Sequence, residues 1–283
     1  MEKSQGQLSL IWRKLKRNRI ALCGGGILLG FAIVAVLAPW IVPYNPIKQD
    51  LRFSLDKPSA KNLLGRDELG RDILSRLIYG TRISISIAIS VVLVGLLIGI
   101  PLGLVSGFWG GKIDFIIQRL TDTMLAFPGF LLALALVSVI GVGFKNVVVS
   151  IGISSVPMYI RLVRGCVLSI REQAYVEAAR ALGTRNLVIL YRHILANVMV
   201  PIIVQSTLGM GTAILFAAGL GFLGLGVQPP TPEWGAMLGT GRSYIFASPH
   251  VATFPGVAIF LAVLGFNLFG DGLRDALDPR FKL

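Results

Sequence analysis

Six long apolar runs, separated by short charged segments, dominate the chain. They extend from Ile20 to Val42, Arg82 to Gly107, Ile113 to Ile140, Asn146 to Leu162, Val198 to Gly226 and Val251 to Gly270. A helix of roughly 17–25 mostly apolar residues crosses the hydrocarbon core of a bilayer. The pattern therefore predicts an all-α fold, a polytopic membrane helical bundle with six transmembrane helices. Ahead of the first run, Leu8, Ile11, Trp12 and Leu15 share one helical face, while Arg13, Lys14, Lys16, Arg17 and Arg19 occupy the rest. Residues 1–19 read as a cytoplasmic amphipathic helix on an anionic membrane surface. The run at 20–42 has the basic lead-in of a signal peptide. It is too long for an h-region, however, and Pro39 follows Ala38 where a cleavage site needs freedom, so it is read as an uncleaved first transmembrane helix.

Residues 43–81 form the longest polar segment and are expected on the extracytoplasmic side, with Leu69, Ile73, Leu74 and Leu77 making a short amphipathic helix. A second outer loop is expected from Gln228 to His250, and a short tail from Asp271 to Leu283. Residues 82–283 then make the transmembrane core, which contains a charged stretch at 171–195. With six spans, both termini and that stretch fall on the cytoplasmic side, in keeping with its arginines.

That stretch is the amphipathic island Gln173 to Asn197. Tyr175, Val176, Ala178, Ala179 and Leu182 fall at helical spacing and predict a short helix with one apolar face. Gly183 breaks the pattern, as a residue free to adopt positive φ does at a helix end. Leu187, Ile189, Leu190 and Ile194 predict a second short helix, with Arg180, Arg185 and Arg192 pointing outward. Such a knob beside a membrane suits docking into a groove on another protein.

Composition fixes the class. Hydrophobic residues make up 54% of the chain and charged ones 14%, against about 25% charged in an average soluble domain. The formal net charge is +13, but the cations sit between apolar runs as topology determinants do, without interleaved aromatic stacking platforms. Nucleic acid is therefore not an expected partner, whereas membrane lipid is. Cys23 and Cys166 read as small packing residues, and with His193 and His250 they offer too few ligands for a metal site. The string GFWGGK is not a phosphate loop, because Ser106 stands where glycine is required and isoleucine follows the lysine. The chain is expected to bind no cofactor of its own.

Within the runs, Gly95, Gly99, Gly103 and Gly107 recur every fourth residue. A face without side chains lets another helix approach closely; the alternative is a lining that leaves room for cargo. Pro128 predicts a kink in the third run. Asp122, which would cost about 2.5–3.5 kcal/mol at mid-bilayer, is expected to reach the interface or pair with Arg119. The spans hold almost no buried charge, which argues against a proton- or sodium-driven carrier. No nucleophile, base and orienting group come together, which argues against an enzyme.

Glu177-Ala178-Ala179, Gly183 and Ile194-Leu195 resemble the EAA loop of ABC importer permeases. LGRDELGRDILSRLIYG (Leu64 to Gly80), FLGLGVQPPTPEWG (Phe222 to Gly235) and FNLFGDGLRDALDPR (Phe266 to Arg280) resemble the C-type permease of dipeptide and oligopeptide importers. Ala196 departs from the proline many such permeases carry after Ile-Leu. The resemblance implies an ATPase-coupling role for Tyr175, Glu177, Ala178, Ala179, Arg180, Leu182, Gly183, Thr184 and Arg185. It also implies a heterodimer with a homologous B-type permease, two ABC ATPase subunits that bind ATP and Mg, and an extracytoplasmic substrate-binding protein. The location implied is the cell (inner) membrane. The cargo implied is a di- or oligopeptide, with nickel chelates, glutathione or another small solute as the alternative.

Overall fold

The computed structural model describes residues 13–277. Its long helices are α1 (Arg19–Ile41), α2 (Ile73–Trp109), α5 (Phe144–Arg171), α7 (Asn186–Phe222) and α9 (His250–Leu277), each long and apolar enough to cross a membrane. Between them lie α3 (Gly111–Leu125), α4 (Gly129–Ile140), the short α6 (Ala174–Ala181) and α8 (Trp234–Gly241). Counting α3 and α4 as one bent span gives six. No strand occurs among the described residues, where an isolated bridge joins Arg66 and Asp72.

Local chemistry sets the helix ends. Asn18 caps α1 by accepting from the Ile20 and Ala21 amides, which satisfies donors that a helix start leaves orphaned. Asp72 caps α2 through the Ser75 amide. This cap starts α2 at Ile73, so the expected separate amphipathic helix does not exist. Ile73, Leu74 and Leu77 are the first turns of a helix about 55 Å long, and Leu69 lies outside it. The third run also differs from expectation. Pro128 does not merely kink it: α3 and α4 meet at 88°. Pro128 lacks an N–H and disfavours helical geometry at Phe127, and its own ψ of 130° is extended.

Two further boundaries move. α9 continues to Leu277, so the tail expected from Asp271 begins as helix, and its last six residues lie outside the described part. The second inter-helix loop is not simply polar surface. It carries α8, whose Trp234 is buried and whose Gly235 lies against the backbone of Ala218. At the N-terminus, residues 13–17 are helical and Leu15 packs with Ala21 and Ala276. Leu15 thus faces protein rather than lipid; Leu8, Ile11 and Trp12 fall outside the described residues.

The segment before α2 is a built cap. Arg71 is held between Asp67 at 2.7 Å and Glu68 at 2.8 Å, and the Asn62 side-chain amide donates to Asp72 at 2.7 Å. Asp67 and Asp72 are buried against these partners, while Asp50 pairs with the exposed Arg52 and Asp56 is exposed. The core has two main parts. One, around Ile87, Val137, Ile151, Ile214 and Trp234, lies toward the cap; the other, around Leu104, Phe108, Val163, Val167, Ile189 and Ile194, lies toward α6.

Candidate coupling site

The helix pair α2–α5 carries the site, and glycines bring the two helices together. A Cβ on Gly103 would lie 2.7 Å from the Val163 Cβ and 2.9 Å from the Ile160 carbonyl oxygen. One on Gly107 would lie 2.7 Å from the Val167 Cβ. Gly99 faces Tyr159 just as closely, and Gly95 faces Ser155 and the Tyr159 ring. All four glycines lie along one seam against α5, and at Gly99, Gly103 and Gly107, where a Cβ would meet Cβ or backbone atoms, a larger residue would force the backbones apart.

α5 ends at Arg171, and after Glu172 and Gln173 the chain enters α6. Val176 and Ala179, three residues apart, share the inward face of α6. They join the cluster formed by Leu104, Phe108, Val163, Val167, Ile189 and Ile194. Burial here decides roles. Ala179 is 8% exposed and belongs to this chain's own packing, so within the set that the resemblance implies for ATPase coupling it lies on the inner face of α6. The outward face consists of Tyr175, Glu177, Ala178, Arg180 and Leu182, with Leu182 86% exposed. Past it, Gly183 takes φ +76°, Thr184 donates its amide to the Ala179 carbonyl, and Arg185 is exposed. The left-handed conformation is one that glycine adopts at little steric cost.

The second short helix predicted from Leu187 onward does not stand alone. Asn186–Val188 and the π-helical turns Ile189–Leu195 are the start of α7, which passes through Ala196 at helical φ and ψ without interruption. The knob is therefore one short helix strapped to the foot of a long one. Arg180 lies over the Phe108 ring at 5.7 Å, and Arg171 donates to the Gly107 carbonyl at 2.9 Å. Asn197 donates to the Tyr175 hydroxyl at 3.1 Å. Leu187 and Tyr191 extend the exposed apolar strip, at 69% and 76% exposed, between the exposed Arg185 and Arg192.

Three acidic residues have partners that the sequence does not indicate. Asp122 pairs with Arg161 of α5 at 2.6 Å, not with Arg119. Asp114 receives both ends of the Arg164 guanidinium, at 2.6 and 2.7 Å. Glu233, which the sequence reading passed over, is wholly buried and caps α8 by accepting from the Gly235 and Ala236 amides at 2.8 Å each. Burial pushes its carboxyl pKa up, against the pull of those two amides. Among the described residues, no group of His, Cys, Asp and Glu is arranged to hold a metal ion, and Cys23 and Cys166 are unpaired with each other.

Residues 99–283 match the family model described as binding-protein-dependent transport system inner membrane component. Residues 6–58 match the N-terminal transmembrane domain of oligopeptide transport permease C. The dipeptide transport system permease protein DppC of Alkalihalophilus pseudofirmus is 46% identical, over 96% of this chain and 89% of its own length. The glutathione transport system permease protein GsiD of Salmonella paratyphi A is 48% identical, over 96% and 90%. In structure, the chain is similar to one from the inward-facing MetNI methionine ABC transporter, at TM-score 0.60 and 18% identity, covering 73% of this chain and 98% of that one.

Proposed function

Because this chain belongs to the family of binding-protein-dependent transport system inner membrane components, the permease subunits of ABC importers, we propose that α6 is where an ATPase subunit docks and that small peptides are the cargo. The chain is a multi-pass membrane protein and is not itself the catalyst; hydrolysis of ATP belongs to partner ATPases. In this reading the end of the bundle that carries α6, with both chain termini, faces the cytoplasm. The cap before α2 and the α8 region face the opposite side, toward a substrate-binding protein. A homologous B-type permease completes the pathway, and two ATPases, with their ATP and Mg, sit beneath.

One observation carries the reading: α6 is anchored inward by Val176 and Ala179 while Leu182 stands almost fully exposed beside Arg180 and Arg185. An apolar side chain left in water on a rigid, cation-flanked knob has most to gain from burial in a partner. Fully burying a leucine is worth about 1.5–3 kcal/mol. Glu177, Ala178 and Tyr175 complete the docking face, while Gly183 and Thr184 close the helix and fix its exit. Closure of the ATPases would displace α6, and α5, joined to it by two residues, would carry that movement along the glycine seam into α2.

The docking role is tested by purifying the complex through a tag on this chain carrying Leu182→Asp. The ATPases should be lost while the chain remains inserted and paired with the second permease. Retention at parental stoichiometry would overturn the role. Peptide cargo is supported by the similarity to a dipeptide permease, and the similarity to a glutathione permease favours glutathione as the second reading. Competition of labelled dipeptide uptake by unlabelled dipeptide, glutathione or a nickel chelate separates these cargos.

A further inference from the structure

α3 is held in an unusual way. Of its 15 residues only Thr121 is buried, and Ile113, Phe115, Ile116 and Leu120 are all exposed. Apolar packing within the chain therefore does little to fix it. Polar contacts do. The Arg164 guanidinium grips Asp114 with two hydrogen bonds, a geometry that defines direction as well as distance. The Ser106 hydroxyl of α2 donates to the same carboxylate at 2.5 Å, and Gln118 of α3 donates to that hydroxyl at 2.9 Å. Eight residues along α3, Asp122 meets Arg161. Two arginines one turn apart on α5 thus clasp two carboxylates on α3.

The position of this clasp matters. α5 leads into α6 after two residues, and α3 ends at the 88° break before α4. Beyond the break, Phe130 of α4 stacks edge-on against Phe216 of α7, with ring centroids 5.5 Å apart. α3 is thus tied to α5 by polar pairs on one side of the break, while on the other α4 packs through Ala133 and Val137 in one cluster with Val147, Val148 and Ile151 of α5, and Phe130 reaches α7. We propose that Asp114–Arg164 and Asp122–Arg161 are a transmission strap: it stays closed through the transport cycle and makes α3 travel with α5. When α6 is displaced, the movement of α5 then reaches α3 through these two pairs. The four side chains are positioning residues that touch neither cargo nor nucleotide. This inference rests on α6 being the docking helix.

The experiment replaces the half-exposed rung by a covalent one. In a chain with Cys23→Ala and Cys166→Ala that transports like the parent, Asp122→Cys and Arg161→Cys are introduced. The assembled complex, with both permeases and both ATPases, is reconstituted and treated with a short bifunctional thiol reagent. Before treatment, peptide moved per ATP hydrolysed should fall, by about five-fold at most, as the loss of one half-exposed ion pair allows. Cross-linking should restore it to near the parental ratio, and reduction should remove it again. A cross-linked complex that hydrolyses ATP but moves no peptide would overturn the proposal, since the strap would then have to open. An unlinked double-cysteine complex with the parental ratio would overturn it as well. If the cysteine variants do not assemble, charge exchange serves instead. Asp122→Arg with Arg161→Asp should transport, each single reversal should not, and equal activity of all three would contradict the strap. Absence of ATPases from the parental complex itself would strike at the docking reading and leave the strap's own test separate.

Discussion

The α2–α5 seam makes a quantitative prediction at Gly103. In Gly103→Ala the new Cβ lies 2.7 Å from the Val163 Cβ, where carbon atoms in contact stay about 3.5–4.0 Å apart. The Val163 Cβ is attached directly to the backbone, so no flexible side-chain end can swing away. The helices must part by roughly 1 Å, and a gap of that size forfeits about a quarter to a half of each dispersion contact along the seam. At about 0.1–0.2 kcal/mol per atom pair, a few tens of pairs lose roughly 2 kcal/mol, within the range of overpacked cores. Alanine returns about 0.5–1 kcal/mol through its better helix propensity. The net expectation is destabilisation by about 1–2 kcal/mol. Gly165→Ala on α5 is the control, because nothing lies within 4 Å of its would-be Cβ, and it should be neutral or slightly stabilising. Unfolding of both variants in mixed detergent micelles measures the difference. Equal stability of Gly103→Ala and Gly165→Ala would refute the seam argument.

Other expectations follow from burial and backbone geometry. Ala179→Asp puts a carboxylate into the cluster beneath α6, at a cost of several kcal/mol, so the yield of folded chain on gel filtration should collapse; Leu182→Asp should fold normally. Gly183→Val forces a β-branched residue to φ +76°, costing about 1–2 kcal/mol locally. The chain should insert with unchanged yield, yet lose coupled transport in a reconstituted assay. Glu233 has a raised pKa in the fold, so its stabilising contribution belongs to the protonated form. That contribution is full below the unfolded carboxylate pKa and is lost as pH rises through the higher folded value. Thermal stability in detergent should therefore fall over that window in the parent and stay flatter in Glu233→Gln.

The spans were legible because apolar runs of that length have one economical fate in a bilayer, and the break at Pro128 was signalled by its missing amide, though not its angle. Helix starts were less legible. Ile73 begins α2 because Asp72 caps it, and a cap in a mixed polar stretch carries a weaker pattern than an apolar run. Around α6, periodicity marks Tyr175, Val176, Ala178, Ala179 and Leu182 as one set, yet only Val176 and Ala179 are buried. Which apolar residues face inward depends on Leu104, Phe108 and Val163, which arrive from other helices. The same reason hid the partner of Asp122. Arg119 is near in sequence, but Arg161, 39 residues away, is near in space. Glu233 looked like a loop residue because nothing local announces that α8 folds back into the bundle.

The central claim is that this chain supplies a pathway and a lever but no driving force. The direct measurement is accumulation of labelled dipeptide, presented with its binding protein, by vesicles that hold this chain and its partner permease, with and without the ATPases. The account predicts no accumulation against a gradient until both ATPases and ATP are supplied, and none with Leu182→Asp in any combination. Uphill accumulation by the permeases alone would contradict it.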